Sequence, residues 1–409
     1  MQADSARIGR RTVLKGGALG VGVLAAPALA QRLLDLGLPG GSSMRPLVSD
    51  FPEKGEMILQ RARPPLLETP MQVFDEGVFT PNARFFVRWH WASVPTTVDL
   101  AAYHLKVRGA VSRPLSLSLE ELLALPRTEI AAVNQCSGNS RGFFEPRVPG
   151  AQWGHGAMGN ARWMGVALRH VLDLAGLRLD AIAVRFGGLD MPLVDGAPRF
   201  EKSISVDHAR NGEVLLAFAM NGEQLPLLNG FPLRLVVPGW YSTYWVKALD
   251  DIEVLAGADD RYWMAKAYQV PDNPGADVAP GTGDFPTVAI SRMVPRSWIT
   301  NLADGDEVPV QPALMVRGIA LGGDTGVARV EISTDGGASW QEAELGANEG
   351  KYSFRRFEAK VNVPAPGPLA LLTRCTNQAG MTQPLQSNWN PGGLMRTGVN
   401  STTVEAVPA

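Results

Sequence analysis

From about residue 75 onward, apolar and polar positions follow short periods and few long helical ones. Residues 129–135, 181–186, 214–220 and 232–237 each read as a β-strand, and the first of them delivers Cys136 to a strand end. Asn221-Gly222 is the dipeptide of a tight hairpin turn. Residues 84–91 are aromatic, as in a buried strand or its end. Two helices are predicted. One opens on the capping box Ser118-Leu-Glu-Glu121 and is stopped by Pro126. The other covers 163–175, with Gly176 as its stop. Residues 31–70 are rich in Pro, Gly and Arg without clear periodicity and read as a wrapping N-terminal arm. Strands outnumber helices and no regular βαβ alternation occurs, so the fold class expected for 71–275 is α+β with mixed sheets.

The pattern changes after 270–290, whose Val-Pro-Asp-Asn-Pro-Gly and Pro-Gly-Thr-Gly-Asp runs read as a linker. Residues 313–321, 328–333, 353–363 and 369–373 are short strands at sandwich-like spacing, with Asp335-Gly-Gly337 marking a hairpin. An all-β immunoglobulin-like sandwich is expected over 285–409. At the other end, Arg10-Arg11 precedes a Gly/Ala-rich apolar run over 16–30 that closes on Ala28-Leu29-Ala30. That is the layout of a twin-arginine signal peptide, 1–30, which implies export of an already folded protein to the periplasm. The run is too short and too weakly apolar for the roughly 20 residues a bilayer span needs, so no stable membrane insertion is expected.

Composition narrows the function classes. Of 409 residues 45% are hydrophobic, which excludes wholesale disorder, and a net charge of −2 gives no reason to expect a nucleic-acid partner. Two cysteines exclude a disulfide framework and any CxxC-type metal site.

Cys136 lies in Asn134-Gln-Cys-Ser-Gly-Asn-Ser-Arg141. A thiol at a strand end, followed by a glycine turn and an arginine, has three readings: a metal-ligating thiolate, the nucleophile of a Cys/His hydrolase, or a buried bystander. Cys375 reads as a small apolar strand residue. In Phe86-Val-Arg-Trp-His90 an extended chain puts Arg88 and His90 on one face. Together with Arg141 they would suit a small oxyanion, because guanidinium forks match oxygen pairs. Gly154-His-Gly-Ala-Met-Gly159 matches GxGxxG but lacks a hydrophobic strand before it, so dinucleotide binding is not expected; His155 is expected to face solvent.

Four ordered motifs, Phe86-Val-Arg-Trp-His90, Gln135-Cys-Ser-Gly-Asn-Ser-Arg141, Met220-Asn-Gly with Gly230-Phe-Pro-Leu-Arg234, and Pro238-Gly-Trp-Tyr-Ser-Thr-Tyr-Trp-Val-Lys247, together resemble the sulfite oxidase family of molybdenum enzymes. The likeness runs from about residue 60 to the C-terminus and is nearest to the bacterial periplasmic sulfite dehydrogenases. It implies a mixed-sheet catalytic domain followed by an immunoglobulin-like dimerisation domain, and a Mo-molybdopterin cofactor with one pterin. It also implies that Cys136 is the thiolate ligand of molybdenum, that Arg88, Arg141 and His90 form the anion pocket, and that Tyr268 is the active-site tyrosine. Phe86, Val87, Arg88, Trp89, His90, Asp190, Asn229, Arg234, Trp245, Val246 and Lys247 match positions that hold the pterin and its phosphate. Animal members carry His where this chain has Asn229.

The activity implied is oxidation of sulfite to sulfate by oxygen-atom transfer. The chain has no Cys-x-x-Cys-His and no His-Pro-Gly-Gly segment, so no haem is expected on it and the electrons would pass singly to a separate c-type cytochrome, as acceptor or subunit. A homodimer, or a heterodimer with that cytochrome, follows as the family expectation. A sulfane dehydrogenase acting on protein-bound sulfur is the alternative within the family, with a methionine-sulfoxide-type reductase third. An exported, non-catalytic binding module is the alternative of another class.

Overall fold

The computed structural model describes residues 32–408; the twin-arginine segment 1–30 lies outside the described residues. The stretch read as an arm is a sheet. Leu33–Asp35, Met44–Val48, Met57–Arg61 and Leu66–Glu68 pair antiparallel in chain order and continue into Val87–Arg88. Strands of three to five residues broken by Pro and Gly are too brief for alternation to show in the sequence.

Two further sheets follow. One has the order Glu201–Ser205, Ala183–Gly188, Leu249–Leu255, His104–Gly109, Leu115–Ser118, with a parallel pair between Leu249–Leu255 and His104–Gly109 among antiparallel neighbours. The other runs Glu223–Gln224, Leu215–Met220, Met158–Ala167, Arg127–Gln135, and Arg234–Val236 also pairs with Leu215–Met220. Expected strands recur with shifted ends, and the Asn221-Gly222 hairpin has positive φ at both residues (54° and 78°), as a type I′ turn requires. The capping box is formed: Ser118 Oγ accepts from the Glu121 N–H at 3.2 Å, and the Glu121 carboxylate accepts from the Ser118 N–H at 2.8 Å.

The helix predicted over 163–175 is helical only at Leu168–Ala175. Its first half belongs to the strand Met158–Ala167, where Trp163 faces Ile130 and Val166 faces Arg127 across the ladder. Trp and Val pack well on a pleated surface, and pairing there overrides the helical period.

The C-terminal part is a sandwich. One sheet has the order Arg296–Ile299, Gln311–Leu321, Arg355–Val363, Glu344–Leu345; the other Glu307–Pro309, Asn400–Val407, Gly367–Asn377, Val327–Ser333, Gln341–Glu342. Val316, Val330, Leu371, Cys375 and Val404 fill the space between them, all fully buried. The presumed linker is anchored at its ends, because Gln269–Pro271 pairs with Thr287–Ala289. A shared apolar cluster, including Phe74, Val133, Met158, Tyr241, Trp298 and Phe354, joins the sandwich to the sheet that carries Cys136. The Val133 N–H donates to the Tyr352 carbonyl at 2.8 Å across the same seam. No helix of the described residues is long and apolar enough to cross a membrane.

Candidate active site

Cys136 follows the last residue of the strand Arg127–Gln135, and its N–H still reaches the Ala157 carbonyl at 2.9 Å. The chain then turns sharply: the Asn139 N–H donates to the Cys136 carbonyl and the Arg141 N–H to Gly138. A Cβ on Gly138 would lie 2.5 Å from Arg141 Nη2, so only glycine lets the guanidinium fold over this turn. Arg88 and His90 reach the same place because Val87 and Trp89 point the other way, into a separate apolar cluster. Trp89 is pinned there by its Nε1–H, which donates to the Leu228 carbonyl at 3.0 Å.

The result is a pocket at the end of the Cys136 strand. Phe86, Arg88, His90, Cys136, Asn229, Arg234, Lys247 and Tyr268 line it together, brought from segments far apart in the chain. Val87, Trp89, Arg141, Asp190, Trp245 and Val246 do not line it. Val87, Trp89, Trp245 and Val246 are core residues behind the wall. Arg141 backs the cysteine turn, where its Nε–H donates to the Gly393 carbonyl at 3.1 Å. Asp190 is buried beside Lys247.

Charge and hydrogen bonding describe what the pocket accepts. Arg88, Arg234 and Lys247 line it and no Asp or Glu does. Burial pushes the Arg234 guanidinium below its usual pKa and draws Lys247 down to about 7; Arg234 and Arg88 act on Lys247 in the same direction, and Asp190 opposes them. Lys247 Nζ lies 4.6 Å from the centre of the Trp89 ring, and the Arg234 guanidinium 4.8 Å from that of Trp163. Burial, with Arg88, Lys247 and Lys202 adding to it, holds His90 well below the usual histidine value, and the neutral ring stands 2.6 Å from the Tyr268 phenol oxygen. Five buried polar atoms on the lining residues lack a protein partner: Arg88 Nη1, Asn134 Nδ2, Ser137 Oγ, Arg234 Nε and Thr243 Oγ1. Orphaned donors and unneutralised cations around a thiol are the complement of an oxygen-rich, multiply charged anion. The residues present fit a phosphate-bearing cofactor.

Several lining residues escape the sequence reading: Asn134, Ser137, Phe200, Ser242 and Thr243. Asn134, Ser137, Ser242 and Thr243 sit inside motifs already singled out, so proximity to Cys136 and Trp245 could have found them. Lys54 could not be found that way. It comes from the N-terminal sheet region, is 7% exposed, and donates to the Asn82 and Phe85 carbonyls at 2.8 and 3.1 Å and to Asn229 Oδ1. Asn229 Nδ2 in turn donates to the Phe86 carbonyl at 3.1 Å. The amide that stands in place of histidine is therefore held from both ends.

His155 does not face solvent as expected. It stacks on Phe143 with ring centres 4.3 Å apart, lies 2.8 Å from Ser140 Oγ, and is held well below its usual pKa by burial and by Arg396 and Arg296. The GxGxxG run around it leads into a strand, Met158–Ala167, with no helix between. Its glycines serve close approach: the Gly154 and Gly156 N–H groups donate to the Glu68 carboxylate at 3.1 and 2.8 Å, and a Cβ on Gly156 would lie 1.8 Å from the Thr69 carbonyl oxygen.

Comparison with known proteins agrees with this geometry. Residues 91–263 match the oxidoreductase molybdopterin binding domain, and 287–404 the Mo-co oxidoreductase dimerisation domain. The chain is 34% identical over 391 residues to mitochondrial sulfite oxidase of Mus musculus, covering 90% of this chain and 69% of that one. It is 31% identical to sulfite oxidase of Arabidopsis thaliana, covering 81% of this chain and 89% of that one. Against the mitochondrial sulfite oxidase of Rattus norvegicus it spans 65% of the relative's length. Its fold superposes on the sulfane dehydrogenase SoxCD from Paracoccus pantotrophus with a TM-score of 0.71 over 96% of both chains, at 22% identity. The chain thus belongs to the sulfite oxidase family of molybdenum oxidoreductases, and its cofactor is Mo-molybdopterin.

Proposed function

We propose that this protein oxidises sulfite to sulfate in the periplasm, with Cys136 as the protein ligand of molybdenum, and passes the electrons singly to a separate c-type cytochrome. The observation that carries the reading is the pocket itself: one thiol among Arg88, Arg234 and Lys247, with no carboxylate on its wall. Among the described residues no three His, Cys, Asp or Glu side chains gather to hold a metal ion. Cys136 would therefore be the one side chain of this site to hold the metal, with the pterin cofactor supplying the remainder of its support. When bound, the cofactor supplies the two-electron oxygen-atom transfer.

The chain's own part is to bind, orient and exclude. Arg88 and His90 face the pocket beside Cys136, and the Arg88 Nη1 left without a protein partner is a donor for a substrate oxygen. Arg141 adds positive charge from behind the cysteine turn. The neutral imidazole of His90 and the Tyr268 hydroxyl share a hydrogen bond of 2.6 Å, so the phenol is aimed and one proton lies between the two groups. Arg234, buried, and Lys247, half-buried, are placed to neutralise the pterin phosphate.

A small inorganic dianion suits a pocket lined by Arg88, Arg234 and Lys247 with no carboxylate, and the relatives of Mus musculus and Arabidopsis thaliana at 34 and 31% identity are named sulfite oxidases, while a Hordeum vulgare relative at 31% is named a nitrate reductase. Steady-state assays with sulfite, thiosulfate and a thiol-linked sulfane, using a c-type cytochrome as acceptor, test the reading. Sulfite-dependent reduction with about one molybdenum per chain supports it. Turnover on the thiol-linked sulfane alone would move the substrate to protein-bound sulfur, and folded protein that binds no molybdenum would replace the enzyme by a binding module.

A further inference from the structure

Lys202 is fully buried, and its hydrogen bond runs to a backbone carbonyl, that of Trp263, at 2.7 Å. The ammonium stands 4.7 Å from the ring centre of Tyr244 and 5.5 Å from that of Tyr268. An ammonium taken out of water without a paired carboxylate is costly, and what surrounds this one is aromatic faces, which attract cations. The same strand edge carries Phe200, whose ring stacks on His90 with centres 3.4 Å apart. Phe200 and Lys202 are two residues apart and so share a face. One therefore backs each partner of the His90–Tyr268 hydrogen bond. Tyr268 needs such support: its φ of 58° is left-handed, a conformation that a bulky non-glycine residue keeps only under tertiary restraint.

We propose that Lys202 is a positioning residue for Tyr268, its ammonium fixed by the Trp263 carbonyl and the Tyr244 ring so that it holds the phenol against His90 and supplies a nearby positive charge. Lys202 does not line the pocket, so it acts through the tyrosine. The inference rests on Tyr268 being an active-site group. Burial draws Lys202 down to about 7, with Asp259 pulling the other way; Asp259 itself pairs with Arg185 at 3.2 Å. The other charged or titratable groups facing the pair are Arg88, Arg141 and Cys136 around Tyr268, and Lys202, Arg88 and Lys247 around His90. Near neutrality the lysine's charge, and with it the field on the phenol, is switchable.

The test uses the loaded enzyme with ¹³Cζ-labelled tyrosine; six tyrosines make the spectrum assignable, with Y268F marking one signal. In the wild type the Tyr268 signal should shift through a step near pH 7. In Lys202→Arg, which stays charged, that step should vanish, whereas a step caused by another group would persist and overturn the proposal. Lys202→Met should lower kcat roughly fivefold with little change in the sulfite KM, and Lys202→Arg should restore most of it. An unchanged Tyr268 signal and kcat in K202M would also overturn it. Should K202M not fold, the arginine variant and the wild-type titration decide. If the wild type oxidised no sulfite, the proposed substrate would fall while the tyrosine signal still decided the role of Lys202.

Discussion

The Met395 N–H donates to the carbonyl of Ser137, the residue after the pocket thiol, across 2.8 Å. Met395 belongs to the sandwich half of the chain, so a loop of that half closes over the cysteine turn. Two residues earlier, the Gly393 carbonyl accepts from Arg141.

That seam is tight enough to test. Gly393 has φ of 55°, and a Cβ there would lie 2.4 Å from Val148 Cγ2 and 2.9 Å from Arg141 Cγ. Gly393→Ala should destabilise the protein by about 1–3 kcal/mol and raise the sulfite KM, because Arg141 must move. Thermal unfolding and steady-state kinetics check this; an unaltered KM would mean that Arg141 plays no part in anion binding.

Removing the thiol separates ligation from folding. Cys136→Ser should abolish turnover while the circular dichroism spectrum and oligomeric state stay as in the wild type, since serine nearly matches cysteine in shape and its hydroxyl faces the polar pocket. Elemental analysis of the variant, alongside a sulfite assay, gives the answer. Sulfite oxidation at the wild-type rate would remove Cys136 as the metal ligand.

Arg88 is the lining cation with an unpartnered Nη1. Arg88→Met removes a charge-assisted contact worth about 1.5–3 kcal/mol, so the sulfite KM should rise roughly 10- to 100-fold. If KM holds and molybdenum retention falls instead, Arg88 serves the pterin.

Lys247 carries a pH signature. Its pKa is about 7 in the folded protein against 10.5 when exposed. Between these values the unfolded chain holds more protons, so cofactor-free protein should gain stability as pH rises from 7 toward 10. Lys54 and Lys202, also drawn to about 7, contribute with the same sign, and the part due to Lys247 is the part that Lys247→Met loses. A bound polyanion favours the ammonium, so the stabilisation conferred by the cofactor should shrink over the same range. Melting temperatures of loaded and cofactor-free protein at about pH 7 and pH 9 measure both effects. A cofactor-induced increment independent of pH, in wild type and variant alike, would place the phosphate elsewhere.

Reading the residues in order goes some distance toward this site and then stops for physical reasons. Cys136 at a strand end, and Arg88 with His90 on one face, follow from local alternation, and the pocket bears both out. His155 does not follow: nothing local says that Phe143, twelve positions earlier, will stack on it. The helix predicted from residue 163 fails for a related reason, since Trp163 is claimed by a ladder partner in another segment.

What the chain's own order determined was chemistry by type and period: α+β sheets ahead of a β-sandwich, a thiol in a glycine turn, an arginine and a histidine at alternating positions, and motifs that name a family. Only the tertiary structure decided which cations share the pocket, that Lys54 from the first sheet holds Asn229, that Lys202 backs Tyr268, and that the sandwich closes over the thiol. Alternation and turns depend on neighbours within a few residues. Convergence of Lys54, Phe200, Asn229 and Met395 on one place depends on long-range packing, and that is settled by the whole core at once.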